Sequence, residues 1–460
     1  MLFTQFEFPI FFCCVLIAAW LCRRRQSRNA VLLIASYYFY AYWDYRFCSL
    51  LALSTVVDYC IARVMVRSSG TVFRRALLMT SLAVNLGVLG FFKYFNFFIE
   101  SASPALQAIG LSGETLDIIL PVGVSFYTFQ TLSYTIDVYR GVLKPVNRFM
   151  DFALYVAFFP QLVAGPIVRA RELLPQLAVV PRFSKRRFYA GAQQMLRGLV
   201  KKVLLADRLG EAVDVVFAGP DLYSGLTVWI VVFAYAGQIY YDFSGYSDIA
   251  IGGAKMLGYR FPVNFRHPYL SESMSEFWHR WHMTLSRWLR DYVYIAMGGS
   301  RVSQWVTYRN LMITMTLGGL WHGAAWTFVL WGVWHGVALV FERACKNSVR
   351  YRLARPIKWL CTMSVILAGW VLFRSDSLAM AVSVLLQMLS FAEGVNWYPP
   401  LAIAALFCCI MEHVAWCTPL RRAMRLPINA WYSPVVTTVM IWALVLYAPR
   451  DFRPFVYFQF

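Results

Sequence analysis

Phe6-Glu-Phe-Pro-Ile-Phe-Phe-Cys-Cys-Val-Leu-Ile-Ala-Ala-Trp-Leu-Cys22 runs directly into Arg23-Arg-Arg25, with Arg28 close behind. An apolar run of this length ended by arginines is how a membrane span meets the cytoplasmic face, where Lys and Arg accumulate. No basic segment precedes the run and no small-residue cleavage site closes it. It therefore reads as an uncleaved first span with its N-terminus outside. The rest of the chain repeats this alternation. Of the 460 residues, 60% are hydrophobic and only 14% are charged, whereas a soluble domain carries about 25% charged residues. There is too little polar surface to dress a water-exposed globule, so soluble multi-domain architecture is excluded.

The formal net charge is +20. In a soluble protein that excess would suggest nucleic acid. Here the Lys and Arg sit at span ends, where they face anionic headgroups and set orientation. No nucleic-acid-binding module is visible, and the Trp and Tyr suit interfacial belts better than base stacking. The ten cysteines form no CxxC pair and no regular framework, so neither a metal site nor disulfides are indicated.

Placing each basic cluster on the cytoplasmic side orders the spans. Runs 30–43 and 47–66 return to Arg63, Arg67, Arg74 and Arg75. Run 76–99 leads to an outside loop holding Glu100, Glu114 and Asp117, and 115–136 comes back to Arg140, Lys144 and Arg148. Run 149–168 breaks the pattern, being flanked by Arg148 before it and by Arg169, Arg171 and the Arg182–Arg187 cluster after it. Pro160, Gly165 and Pro166 interrupt it, and irregular backbone at membrane depth survives only where protein or a water-filled cavity satisfies it. It reads as a re-entrant segment beside a cavity. Two basic amphipathic stretches, 182–206 with Arg197, Lys201 and Lys202, and 271–300, read as cytoplasmic interfacial helices. Runs 222–241 and 244–257 read as a crossing and its return. Runs 308–320 and 324–341 form another pair, and 356–373, 400–417 and 434–447 complete the chain, with Arg421, Arg422 and Arg425 inside and 378–392 a partial span. The expectation is one all-α integral-membrane domain over residues 1–460. It would have about eleven spans plus re-entrant and interfacial helices around a central tunnel, and a C-terminus outside.

Chemistry points first to His322. It lies in Leu317-Gly-Gly-Leu-Trp-His-Gly-Ala324, an uncharged apolar stretch. An ionisable side chain within a span is costly, so it is a functional candidate by default. Gly318, Gly319 and Gly323 would let a ligand or backbone approach closely. Histidine is also the ordinary base for a hydroxyl proton near neutral pH. A histidine hydrogen-bonded between helices would look the same. A second cluster is Glu276-Phe-Trp-His-Arg-Trp-His-Met-Thr-Leu-Ser-Arg-Trp-Leu-Arg-Asp-Tyr292. In it Trp278, Trp281, Leu285, Trp288 and Tyr292 follow helical spacing and make one apolar face, with His282 off the stripe. An aromatic-anchored surface helix explains most of this cluster but needs neither histidine. Glu276, His279 and His282 at i, i+3 and i+6 drift around a helix, which argues against a metal site. Asp242-Phe-Ser-Gly-Tyr-Ser-Asp248 fits a capped turn or the lining of an acceptor channel. His335, thirteen residues after His322, could be its structural partner.

Residues 276–295 and Gly318-Gly-Leu-Trp-His-Gly323 resemble the signature of the membrane-bound O-acyltransferase family. Phe126-Tyr-Thr-Phe-Gln130, Tyr134-Thr-Ile-Asp-Val-Tyr-Arg140, Phe159-Pro-Gln-Leu-Val-Ala-Gly-Pro166, Tyr241-Asp-Phe-Ser-Gly-Tyr-Ser-Asp248 and Tyr457-Phe-Gln-Phe460 extend the resemblance along nearly the whole chain. They point to the bacterial branch that O-acetylates alginate, near the cellulose acetylation proteins and further from the D-alanine transfer protein of teichoic acids. Two departures stand out. The family pattern has Arg where this chain has His279, and the polar insertion near the C-terminus of alginate members is missing.

The resemblance implies His322 as catalytic base and His282 as a second active-site histidine, both lining a tunnel. It implies no bound cofactor and no metal. A cytoplasmic acyl thioester, acetyl-coenzyme A, would be the donor, and Arg280, Arg287 and Arg290 would suit its phosphates as well as they suit interfacial anchoring. The acceptor would be reached through a periplasmic acetyltransferase or carrier, for O-acetylation of an exopolysaccharide at the bacterial inner membrane. Direct attack and a transient acyl-histidine are both compatible with these residues. A transporter or flippase relaying a proton through His322, or a structural subunit using only its C-terminus, are the alternatives.

Overall fold

The computed structural model describes residues 1–111, 113–345, 353–390, 393–418, 430–447 and 455–456. Among them the chain is all-α, and its one β-type pairing is an isolated bridge between Tyr223 and Val395. Four stretches are long and apolar enough to cross a membrane: Arg25–Arg67, Thr71–Ala108, Gly225–Met256 and Arg355–Arg374. The shorter helices Glu7–Leu21, Leu378–Ser390, Pro400–Trp416 and Tyr432–Tyr447 are also apolar. Residues cluster into two compact units, Met1–Met195 with Ile249–Pro262, and Leu196–Asp248 with Val263–Phe460. The expected motif Tyr457–Phe460 and Arg421, Arg422 and Arg425 lie outside the described residues.

The first unit opens with α1 (Glu7–Leu21), α2 (Arg25–Asp44), α3 (Cys48–Arg67), α4 (Thr71–Leu89) and α5 (Phe95–Ala108). Of these, α3 and α4 pack against α6 (Val124–Tyr139), which is buried on nearly every side. Gly123 starts α6 at φ +78°, and a Cβ there would lie 2.4 Å from the Leu162 carbonyl oxygen, so only glycine fits. The expected 149–168 segment is α7 (Phe149–Ala157) and α8 (Phe159–Leu162), separated at Phe158. Pro160 has no N–H to continue the helical ladder. The freed groups are satisfied internally: Phe159 N–H donates to Ser36 Oγ at 3.1 Å, and Gln161 Nε2 donates to the Tyr155 carbonyl at 2.7 Å. The unit continues with α9 (Ala170–Leu177) and enters α10 (Lys185–Leu199). One arginine of the expected cytoplasmic cluster turns inward. Arg28 is buried, lies over the Trp20 ring at 4.5 Å and donates to the Leu257 carbonyl at 2.6 Å. A planar guanidinium can satisfy several carbonyls and a ring face at once, which a lysine could not.

A π-helical turn, Val200–Ala206, leads into α11 (Asp207–Phe217) and then α12 (Gly225–Met256). The expected crossing and return over 222–257 is therefore one 32-residue helix, about 48 Å long at the α-helical rise. Asp242 and Asp248 sit inside it rather than in a capped turn. The reason is pairing: Lys202 Nζ lies 2.7 Å from both Asp242 and Asp207, and Lys201 Nζ lies 3.1 Å from Asp248. Lys202, expected at an interface, is buried with its two carboxylates. The short helices α13 (Met274–Arg280) and α14 (Met283–Leu289) come next. They precede the hairpin of α15 (Gln304–His322) and α16 (Trp326–Ala344), and then α17 (Arg355–Arg374), α18 (Leu378–Ser390), α19 (Pro400–Trp416) and α20 (Tyr432–Tyr447).

Candidate active site

The expected helix over 276–292 is broken in the middle. Trp281 is extended and His282 is left-handed, at φ +38° and ψ +53°, before α14 starts at Met283. His282 and His267 are the non-glycine residues with positive φ among those described, a conformation that costs an L-residue about 1–2 kcal/mol. The apolar stripe survives without a continuous helix: Trp281, Leu285, Trp288 and Tyr292 are all buried. The break separates His282 from His279. His279 stays on the exposed side of α13, with Nδ1 2.6 Å from the Ser275 carbonyl. His282 is fully buried.

His322 is the last residue of α15, at the tip of the hairpin, rather than midway through a span. Its three glycines divide by role. A Cβ on Gly319 would lie 2.2 Å from the Phe328 carbonyl oxygen, and one on Gly323 would lie 2.1 Å from the Phe328 ring. Both therefore serve the close approach of α15 to α16. Gly318 instead borders a cavity, with Leu289 Cδ1 3.2 Å from a Cβ placed there.

That cavity, of about 370 Å³, lies between α13–α14 and the hairpin. One face of α15 supplies Leu311, Thr314, Met315, Gly318 and His322, the i, i+3, i+4, i+7 spacing of a helical stripe. Trp331 and Leu339 come from α16, and Met283, Leu285 and Leu289 from α14. Its polar lining is Ser275, His279, Ser286, Arg287, Arg290, Tyr294 and Thr314. Two of the three expected arginines therefore reach it. Arg280 instead pairs with Glu276 at 2.5 Å.

His282 and His322 are brought together with ring centroids 6.5 Å apart, though His282 does not border the cavity. Trp321 lies against both rings, at 5.8 and 5.0 Å. Behind His322 stand Trp331 at 5.1 Å and Phe373 at 5.3 Å. His335 does not meet His322 in a ring contact; it packs on the far side of the shared Trp331 at 4.8 Å, with Trp278 at 5.2 Å. Burial among these rings lowers the His282 pKa from 6.5 to about 3, so its imidazole is neutral. Two imidazoles side by side beside a largely apolar cavity can accept and return a proton. Among the described residues, no three His, Cys, Asp or Glu side chains gather to hold a metal ion.

Asn264 was not legible as part of this site. It contacts the His282 turn from a preceding loop, a tertiary contact that carries no periodicity. Arg287 and Arg290 could be found as charges beside an apolar stripe, but not as cavity walls.

Residues 144–384 match the membrane-bound O-acyltransferase family. The chain is 42% identical to the probable alginate O-acetylase AlgI of Azotobacter vinelandii, over 85% of this chain and 79% of the relative. It is 38% identical to the probable alginate O-acetylase AlgI of Pseudomonas putida over the full length of both. It is 36% identical to the peptidoglycan O-acetyltransferase of Helicobacter pylori, over 79% of this chain and 74% of the relative.

Proposed function

The chain belongs to the membrane-bound O-acyltransferase family, and from that premise we propose that it passes an acetyl group from cytoplasmic acetyl-coenzyme A across the bacterial inner membrane, for O-acetylation of an exopolysaccharide of the alginate or cellulose type. That it is a membrane O-acyltransferase, needing an acyl donor and a bilayer, follows from the family itself and sets the transporter alternative aside. The donor, the membrane, the polymer and a periplasmic acetyltransferase or carrier as acceptor are the further steps. The whole chain, residues 1–460, would act as one membrane-embedded domain.

One observation supports this reading most: His322 ends a largely apolar cavity whose lining includes Arg287 and Arg290, and His282 stands beside it. A thioester is already activated, so the protein must place its carbonyl, accept one proton and exclude water. The acceptor oxygen attacks the carbonyl carbon while His322 takes the hydroxyl proton. The C–S bond then breaks and the leaving sulfur receives that proton, giving one ester and one thiol. With imidazole nitrogens ~1 Å from their ring centres, those of His282 and His322 stay about 4 Å apart or more, too far for a direct hydrogen bond. A reacting group can sit between them.

His322→Ala tests the reading in a strain that makes acetylated polymer. Ester content should fall to that of a deletion strain while membrane abundance holds. Normal acetylation at normal abundance would refute the role of His322.

A further inference from the structure

We infer that Asn264 is a positioning residue for His282: it selects which imidazole nitrogen is left for the reaction and holds the left-handed backbone that carries the ring. The inference rests on the acyltransferase reading and on His282 taking part in it.

Asn264 is buried, and its oxygen is the hub of the turn. Thr284 N–H donates to Asn264 Oδ1 at 3.2 Å and the Thr284 hydroxyl donates to it at 2.9 Å. A backbone N–H can only donate, so the atom it meets must be the amide oxygen, and the side-chain orientation follows from that. On the other side, Asn264 Nδ2 donates to Ser247 Oγ at 3.2 Å. His282 Nδ1 lies 3.2 Å from the same Oδ1. Facing an acceptor, Nδ1 must carry the proton. Nε2 is then the bare acceptor, and it has no hydrogen-bond partner among the described residues.

The same residue clamps the backbone. Met283 N–H donates to the Asn264 carbonyl at 2.9 Å, and Arg266 N–H donates to the Arg280 carbonyl at 2.9 Å. These bonds fix the chain on both sides of His282, where φ is +38°. Strained backbone persists only when its surroundings over-determine it, and such strain clusters at functional sites. Among the described residues, the rings against His282 are Phe243, Phe265, Trp321 and His322, and His322 is the titratable one. The neutral amide is therefore the polar group that sets the tautomer.

Asn264→Asp keeps the shape and the Thr284 donors, and Ser247 can turn its hydroxyl to donate. It places a carboxylate on Nδ1–H, which stabilises the imidazolium and raises the pKa of His282. A base of higher pKa is lost to protonation at higher pH. Asn264→Ala removes the tautomer selection. The test uses the full chain in membrane vesicles, with thiol release from acetyl-coenzyme A measured against pH at equal protein abundance. Asn264→Ala should lose about tenfold or more, because a ring in the wrong tautomer presents an N–H instead of a lone pair to the reacting group. Asn264→Asp should recover much of that loss, with its acid limb moved up by about one pH unit. If Asn264→Asp is as impaired as Asn264→Ala, or keeps the parent pH profile, the inference is overturned and the role is only structural. Full activity in His282→Ala, with His322→Ala inactive, also overturns it while leaving the acyltransferase reading intact. Full activity in His322→Ala refutes the catalytic role of His322 within that reading.

Discussion

His322 and His282 stand 6.5 Å apart, ring centre to ring centre, with thirty-nine residues of chain between them and Trp321 against both. A single reacting group served by both rings, as proposed, predicts strongly non-additive mutants. A positioned general base contributes roughly 10²–10⁴ in rate. His322→Ala should lose that much, and adding His282→Ala should lower transfer little further, because residues acting as a unit do not sum. Thiol release from acetyl-coenzyme A in vesicles, normalised to abundance, checks this. Two multiplicative losses would mean that the rings act on separate steps.

Much of this arrangement could be read from residue patterns, for a physical reason. A bilayer forces long apolar helices with basic ends, so helices such as α2, α3, α16 and α17 fall close to their expected bounds. His322 was legible because charge is rare in such stretches. What failed was tertiary. Nothing in Asp242-Phe-Ser-Gly-Tyr-Ser-Asp248 says that Lys201 and Lys202 will neutralise both carboxylates and let one helix run on. Nothing in the Trp and Leu spacing of 276–292 reveals the break at His282, because backbone bonds from Asn264 and Arg266 impose it. The same spacing can be satisfied on both sides of a kink.

The glycines of the hairpin should separate fold from site. Gly319→Ala places a Cβ 2.2 Å from a backbone oxygen, which cannot move as a side chain can. Overpacking of that kind costs about 1–3 kcal/mol or more, so membrane abundance should fall. Gly318→Ala meets only the flexible end of Leu289 at 3.2 Å. It should accumulate normally and, by narrowing the cavity beside His322, reduce transfer of longer acyl groups more than acetyl. Comparing acetyl- and butyryl-coenzyme A in one vesicle preparation reads that ratio. Equal loss for both would show that Gly318 does not border the acyl path.

Lys202 balances Asp207 and Asp242 in a buried setting. Removing one partner of a buried pair typically costs about 3–5 kcal/mol, because it strands the other charge. Lys202→Met strands two carboxylates and should lower the thermal midpoint of the detergent-solubilised protein markedly. Asp242→Asn leaves Lys202 paired with Asp207 and should cost less. The double variant Lys202→Met with Asp242→Asn should be more stable than Lys202→Met alone. Simple addition of the two losses would count against an energetically coupled pair.

Arg287 and Arg290 line the cavity, whereas Arg280 is engaged by Glu276. If the cavity takes a phosphate-bearing thioester, each of the first two supplies charge-assisted bonds to the donor in both the ground and the transition state. Uniform binding of this kind appears in KM rather than kcat. Arg287→Ala and Arg290→Ala should each raise the KM for acetyl-coenzyme A by about tenfold, the loss of roughly 1.4 kcal/mol. The effect should shrink with a truncated thioester such as acetyl-pantetheine, which lacks the phosphates. Arg280→Ala should leave KM near the parent value. An equal response to both donors would place these arginines on protein structure or lipid contact instead, and a rise in KM for Arg280→Ala alone would move the donor entrance to the outer face of α13.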